Sequence, residues 1–256
     1  MGKPHWFFES PLFDSPRGGW SSRLLSWALA FGLLALIFYW SFRQVAYHWN
    51  WGAVYRYRGN LFSGWIVTIL ISLVSLVLSS VIGVAFALVR RSHFLPLRYF
   101  GQLYVELVRG TPLLVQILLF FYVVADAFGL QDRYLAGILI LSLFSGAYIS
   151  EVVRAGIESV SASQLESARA IGLTRPQTYR YVILPPLVGQ FVSLIKDSSL
   201  LSLIAVNEFT QAARDVNSAT YSTLECYLPL AAGYLALTLP ISLWTRALEK
   251  RLRFET

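Results

Sequence analysis

The chain has 256 residues, of which 56% are hydrophobic and only 14% charged. An average soluble domain carries about 25% charged residues, so an ordinary soluble enzyme, a disordered chain and a coiled coil are excluded. Lys and Arg outnumber Asp and Glu by 21 to 14, for a net charge of +7, and the single cysteine, Cys226, rules out intrachain disulfides and thiolate metal clusters. His5, His48 and His93 are too scattered to suggest a zinc site.

A helix needs roughly 20 mostly apolar residues to cross a hydrocarbon core. The uncharged intervals predict six such spans in an all-α membrane protein. Leu24 to Phe42 is the first, Leu61 to Val89 the second, Gly110 to Ala125 a short third and Tyr134 to Ser150 the fourth. The fifth, Tyr181 to Asn207, is interrupted by Lys196–Asp197, and Cys226 to Thr245 is the sixth. The first span reads as a retained anchor and not a signal peptide: a long basic stretch precedes it and no small-residue cleavage site follows. Tyr39, Trp40, Tyr47, Trp49 and Trp51 near its outer end fit an interfacial aromatic belt. The expected division is 1–60 for tail, anchor and outer loop, and 61–253 for the transmembrane core, with a loop of special interest at 161–181.

Basic residues orient this arrangement. With the N-terminus in the cytoplasm, 14 of the 21 Lys and Arg fall in the four inner segments and 5 in the outer ones, a positive-inside bias that places both termini in the cytoplasm.

Ionisable groups at membrane depth cost a few kcal/mol each and tend to face a protein interior or a watery cavity. Lys196 and Asp197, followed by Ser198 and Ser199, lie deep in the fifth span and diverge too far to pair well with each other. Asp197 reads as lining a substrate path, or as half of a buried ion pair with a neighbouring helix. Glu106 and Arg109 share a helix face, as do Glu151 and Arg154. For the first pair an intrahelical bridge is expected; Glu151, after the small polar stretch SGAYIS, reads as a candidate substrate contact. Glu208, at the far end of the fifth span, would cap the path or simply be a solvated end.

The loop SASQLESARAIGLTRPQTYRYVILPP is the most informative stretch. Ser163 with Glu166 has the spacing of a capping box. Gly172 suits a left-handed C-cap, a second helix is expected from Arg175 or Pro176, and Pro185–Pro186 is expected to interrupt the backbone. The product is a compact helical elbow shaped for docking into a partner's groove.

Glu166-Ser167-Ala168, Gly172 and Ile183-Leu184-Pro185 resemble the EAA loop of ABC-transporter permeases. The upstream stretches ELVRGTPLLVQ and GAYISEVVRAGIESV resemble their polar amino-acid importer branch. Ser163 and Ser167 depart from the family's usual Gly and Ala, and the first span is an addition to its five-helix core. The resemblance implies a type I, binding-protein-dependent importer in the bacterial inner membrane. In it Glu166, Ser167, Ala168, Gly172 and Pro185 would couple to a cytoplasmic ATPase subunit. Glu151, Asp197, Ser198, Ser199 and Glu208 would lie near a membrane-depth amino-acid site, with Arg109, Gly110, Thr111 and Pro112 as a structural motif. The implied partners are that ATPase, a second permease identical or related, an extracytoplasmic amino-acid-binding protein and the lipid bilayer, with no nucleic acid. The chain has three lysines, Lys3, Lys196 and Lys250, and none stands in a G-x-x-x-x-G-K-[ST] pattern. It is therefore expected not to be an enzyme and to hold no cofactor, ATP and Mg belonging to the partner. A permease for another small polar solute and a passive channel subunit are the alternatives.

Overall fold

The computed structural model describes residues 20–44 and 47–252. Lys3, Arg17 and Arg253, which enter the charge bias, lie outside the described residues. Among the described residues there is no strand. The chain divides at Trp49/Asn50, earlier than residue 60, because Asn50 and the short helix α2 (Trp51–Arg56) belong to the core: the Asn50 amide donates to Glu225.

The first unit holds α1 (Trp20–Arg43), apolar around its whole circumference; its stretch Leu24–Arg43 is long enough to cross a membrane. Phe42, Tyr47 and Trp49 meet near its C-terminal end in tilted and edge-to-face contacts, with Tyr47 and Trp49 ring centroids 5.2 Å apart.

The second unit contains α3 (Arg58–Val89), α4 (Leu95–Gly110), α5 (Leu113–Leu119, continued by a π-helical stretch Phe120–Ala125) and α6 (Arg133–Glu158). After them come α7 (Ala162–Ala170), α8 (Arg175–Asp197, continued as a 3-10 segment Ser198–Ile204), α9 (Phe209–Thr220) and α10 (Thr223–Leu252). Among the described residues five helices are long and apolar enough to span, and Leu95–Gly110 with Leu113–Ala125, a pair bent through 110°, reaches that length and apolarity only jointly. The expected third span is thus the second limb of a broken element.

α3 and α6 lie side by side and run the same way. Ser75 donates to the Ile138 carbonyl and Arg90 reaches Glu151, so residues advance together on both helices. Two glycines permit the approach. A Cβ on Gly83 would overlap Ile149, and one on Gly146 would stand 2.7 Å from Ile82, so each glycine receives the other helix's isoleucine. Such small-residue seams are how helices gain packing where lipid supplies no hydrophobic drive. Ile71, Ile117, Ile140, Leu141, Leu201, Ile204 and Val206 form the main buried cluster, tying α3, α5, α6 and the 3-10 segment together. α8 returns antiparallel along α6: Gln190 meets Ser145, and Leu201 covers Gly137.

The elbow forms as two helices, with two corrections. Its capping box is Ser161 with Gln164, not Ser163 with Glu166. Both pairs have the same spacing, and the helix starts at the earlier one. Pro185–Pro186 does not interrupt α8, which runs through them from Arg175 to Asp197. Each proline withholds one N–H, and helices tolerate this within membranes because neighbours re-satisfy the freed carbonyls. The left-handed cap is present: Gly172 has φ +83°, Leu173 N–H donates to Ala168 O at 2.9 Å and Gly172 N–H to Arg169 O at 2.9 Å, a Schellman closure.

Candidate functional site

The RGTP stretch makes the sharp bend between α4 and α5. α4 ends at Gly110, and Thr111 and Pro112 are extended (ψ 147° and 138°). Pro112 has no N–H to offer the preceding turn. The side chain of Gln116 replaces it: its amide donates to Val108 O at 2.7 Å, Thr111 O at 3.0 Å and Thr111 Oγ1 at 2.8 Å. Thr111 Oγ1 in turn donates to Leu107 O at 2.9 Å. The break is a built corner, held by one glutamine that the sequence motif contains but does not announce.

Arg109 leaves its own helix. The expected Glu106–Arg109 bridge does not form. Glu106 accepts from Gln102 at 2.8 Å, and Arg109 lies 3.6 Å from Glu151 and over the Tyr148 ring at 5.5 Å. Glu151 also accepts from Arg90 at 2.8 Å and from Arg154, which bridges onward to Glu158. One carboxylate thus gathers guanidinium groups from α3, α4 and α6. Charge-assisted bonds of this kind are the strong ones, and with Glu158 included the cluster keeps a net charge of +1.

Glu208 is a second candidate carboxylate, and it is fully buried. It caps α9, accepting from Thr210 N–H at 2.9 Å and Gln211 N–H at 2.8 Å. Tyr234 of α10 donates to it at 2.9 Å and Thr68 of α3 at 3.4 Å. Thr68 Oγ1 accepts from Phe209 N–H at 3.1 Å, which closes the junction of three helices. Burial pushes the Glu208 carboxyl above its ordinary range, against the pull of the Thr210 and Gln211 amides.

Between these two lies the KDSS patch. Lys196 is exposed and Asp197 half-buried. Ser198 is buried and donates to Ile195 O at 2.8 Å; Ser199 donates to Lys196 O at 2.7 Å. Both hydroxyls therefore turn back to the backbone where the α-helix tightens to 3-10.

The structure spreads the candidate substrate residues over three levels. Glu208 pairs with Thr68 near the start of α3, and Glu151 with Arg90 just past its end. Twenty-two residues at 1.5 Å separate these levels by about 33 Å, so the two carboxylates cannot hold one small molecule. Asp197 belongs between them, near the level where Leu201 covers Gly137.

In the elbow, Glu166 and Ser167 are exposed and Ala168 is buried. Pro185 belongs to α8 by its backbone; its side chain lies outside the described residues. Arg90, Gln116, Thr68 and Tyr234 were not singled out by sequence reasoning. Only Gln116 carried a local signal, four residues after the proline whose missing N–H it replaces.

Residues 79–254 match the family described as "Binding-protein-dependent transport system inner membrane component". The chain is 39% identical over 197 residues to the probable glutamine ABC transporter permease protein GlnM of Bacillus subtilis (74% of this chain, 91% of the other). It is 31% identical over 214 residues to the glutamine transport system permease protein GlnP of Escherichia coli K12 (80% and 98%). It is 35% identical over 212 residues to the L-cystine transport system permease protein TcyB of B. subtilis (79% and 91%). Among solved structures, one described as an amino acid ABC transporter with histidines superposes with a TM-score of 0.70 at 33% identity, covering 80% of this chain and all of the other.

Proposed function

Because the chain belongs to the binding-protein-dependent transport system inner membrane components, we propose that it is the permease subunit of an ATP-driven amino-acid importer. Its relatives are permeases named for glutamine and L-cystine, and the substrate assigned here is an amino acid. In this reading the chain is a multi-pass inner-membrane protein with both termini in the cytoplasm. ATP and Mg are handled by a separate ATPase subunit. A second permease, identical or related, completes the route, and an extracytoplasmic binding protein delivers the substrate.

The observation that carries the reading is the elbow. α7 is capped at both ends by its own residues, exposes Glu166 and Ser167, and buries Ala168. A short, pre-ordered helix offered to a groove loses little conformational freedom on docking. Glu166, Ser167, Ala168, Gly172 and Pro185 are assigned to coupling, and Arg109, Gly110, Thr111 and Pro112 to the corner that positions α5. Asp197 is assigned the substrate ammonium, at the middle level, where a half-buried carboxylate interrupts an apolar helix. Ser198 and Ser199 shape the tightened turn beside it. Glu151 and Glu208 bound the route at its two ends.

Reconstituted vesicles with the ATPase and binding protein test this. Glu166→Lys is expected to abolish substrate-stimulated ATP hydrolysis while the chain still inserts; stimulation at the wild-type level would overturn the docking role.

A further inference from the structure

α4 shows three faces where an ordinary core helix shows two. Side chains recur at about 100° around a helix. Gly101, Tyr104, Val105 and Val108 share one sector, which meets the core: Gly101 packs on Val89 and Arg90, and the Tyr104 hydroxyl donates to Leu143 O. Arg98, Gln102, Glu106 and Arg109 form a second sector, polar and exposed. Tyr99, Phe100, Leu103 and Leu107 form a third, apolar, each more than half exposed. A helix in water hides its apolar sector, and a spanning helix has no polar one. Three sectors fit a helix lying where protein, hydrocarbon and water meet.

The bend gives the same orientation independently. α5 starts 110° away from α4, so if α5 follows the bundle, α4 lies across it, in the membrane plane. The exposed apolar stripe of α3 (Val77, Val81, Val84, Leu88) ends two residues before the turn into α4. Arg91 at that turn and Arg98 in the first turn of α4 are exposed, and neither makes an ion pair with any described residue. Their charge complements the headgroups of an acidic lipid at the depth where the apolar stripe stops.

We infer that α4 is an in-plane interfacial helix whose Tyr99–Phe100–Leu103–Leu107 sector is seated in lipid and whose Arg91 and Arg98 bind the headgroups of anionic phospholipid. The site takes phosphodiester anions carried on acyl chains, because the charged pair alone does not account for the apolar sector beside it.

The test uses the full chain in its complex, reconstituted in phosphatidylcholine vesicles with and without phosphatidylglycerol. Spin labels are placed through Leu103→Cys and, separately, Gln102→Cys; the native Cys226 is buried. The Leu103 label is expected to collide with dissolved oxygen and be shielded from a water-soluble nickel chelate, and the Gln102 label to behave the opposite way. In native mass spectrometry the double variant Arg91→Gln/Arg98→Gln is expected to retain phosphatidylglycerol roughly 25-fold more weakly, from about a factor of five per arginine. A Leu103 label shielded from both reagents would mean a protein partner covers the sector and would overturn the proposal. So would unchanged phosphatidylglycerol retention, or inorganic phosphate competing as well as the lipid.

Discussion

At opposite ends of α3, two carboxylates from other helices are held by different physics. Glu151 is surrounded by cations from three helices and remains partly exposed. Glu208 is sealed from solvent and satisfied by neutral donors: two amides, a phenol and a threonine hydroxyl. A cluster of charges at an aqueous edge is re-arrangeable, because water and ions can replace any one partner. A buried carboxylate on fixed dipoles has no such substitutes. The contrast sets a pliable end, which adjoins the elbow, against a fixed one.

The strongest way to break this contrast is Glu208→Ala, which strips α9 of its cap and leaves Tyr234 and Thr68 without their acceptor. A loss of about 3 kcal/mol is expected, read as a lowered Tm in detergent. A loss as small as that of an exposed residue would remove the fixed end from the picture. Glu151→Arg comes next, at about 2 kcal/mol, since it sets four arginines together. The exchange Arg90→Glu with Glu151→Arg should recover roughly half of it. Raising ionic strength should shrink the Glu151 effect and leave the Glu208 effect unchanged, a sharper discriminator than either Tm alone. Gln116→Leu should cost about 1–2 kcal/mol by leaving the Val108 and Thr111 carbonyls unpaired, and limited proteolysis should then cut at the bend.

The smallest effect concerns pH. The folded chain binds a proton at Glu208 more tightly than the unfolded chain does. Stability is therefore fully present below the unfolded carboxyl value, falls as pH rises from there, and levels off above the folded one. Tyr234→Phe removes a hydrogen bond that favours the ionised form, so the decline should extend to higher pH. A Tm-versus-pH curve identical to that of the wild type would show that Glu208 does not titrate in this window.

Local chemistry was legible in the sequence; company at a distance was not. The spans, the elbow and Gly172 follow from hydropathy and turn residues within a few positions. The capping box slipped by two residues because Ser161/Gln164 and Ser163/Glu166 satisfy the same pattern, and only packing separates them. α4 escaped notice as an element because its three-sided sequence has neither an uncharged run nor a single apolar face. The prolines at 185 and 186 read as a stop by the rules of water-exposed helices, which a membrane helix need not obey. Arg90 and Glu151 are 61 positions apart, and nothing near either one names the other. Arg109 had a plausible mate on its own helix, and the fold gave it another.

The unbroken course of α8 has a mechanical consequence. Twenty-three residues from Arg175 to Asp197 make a rod about 35 Å long, joined at its foot to α7 and ending at Asp197. A tilt of some 5° at the foot sweeps the tip through about 3 Å, the difference between making a hydrogen bond there and losing it. A flexible joint at Pro185–Pro186 would have absorbed that stroke before it arrived.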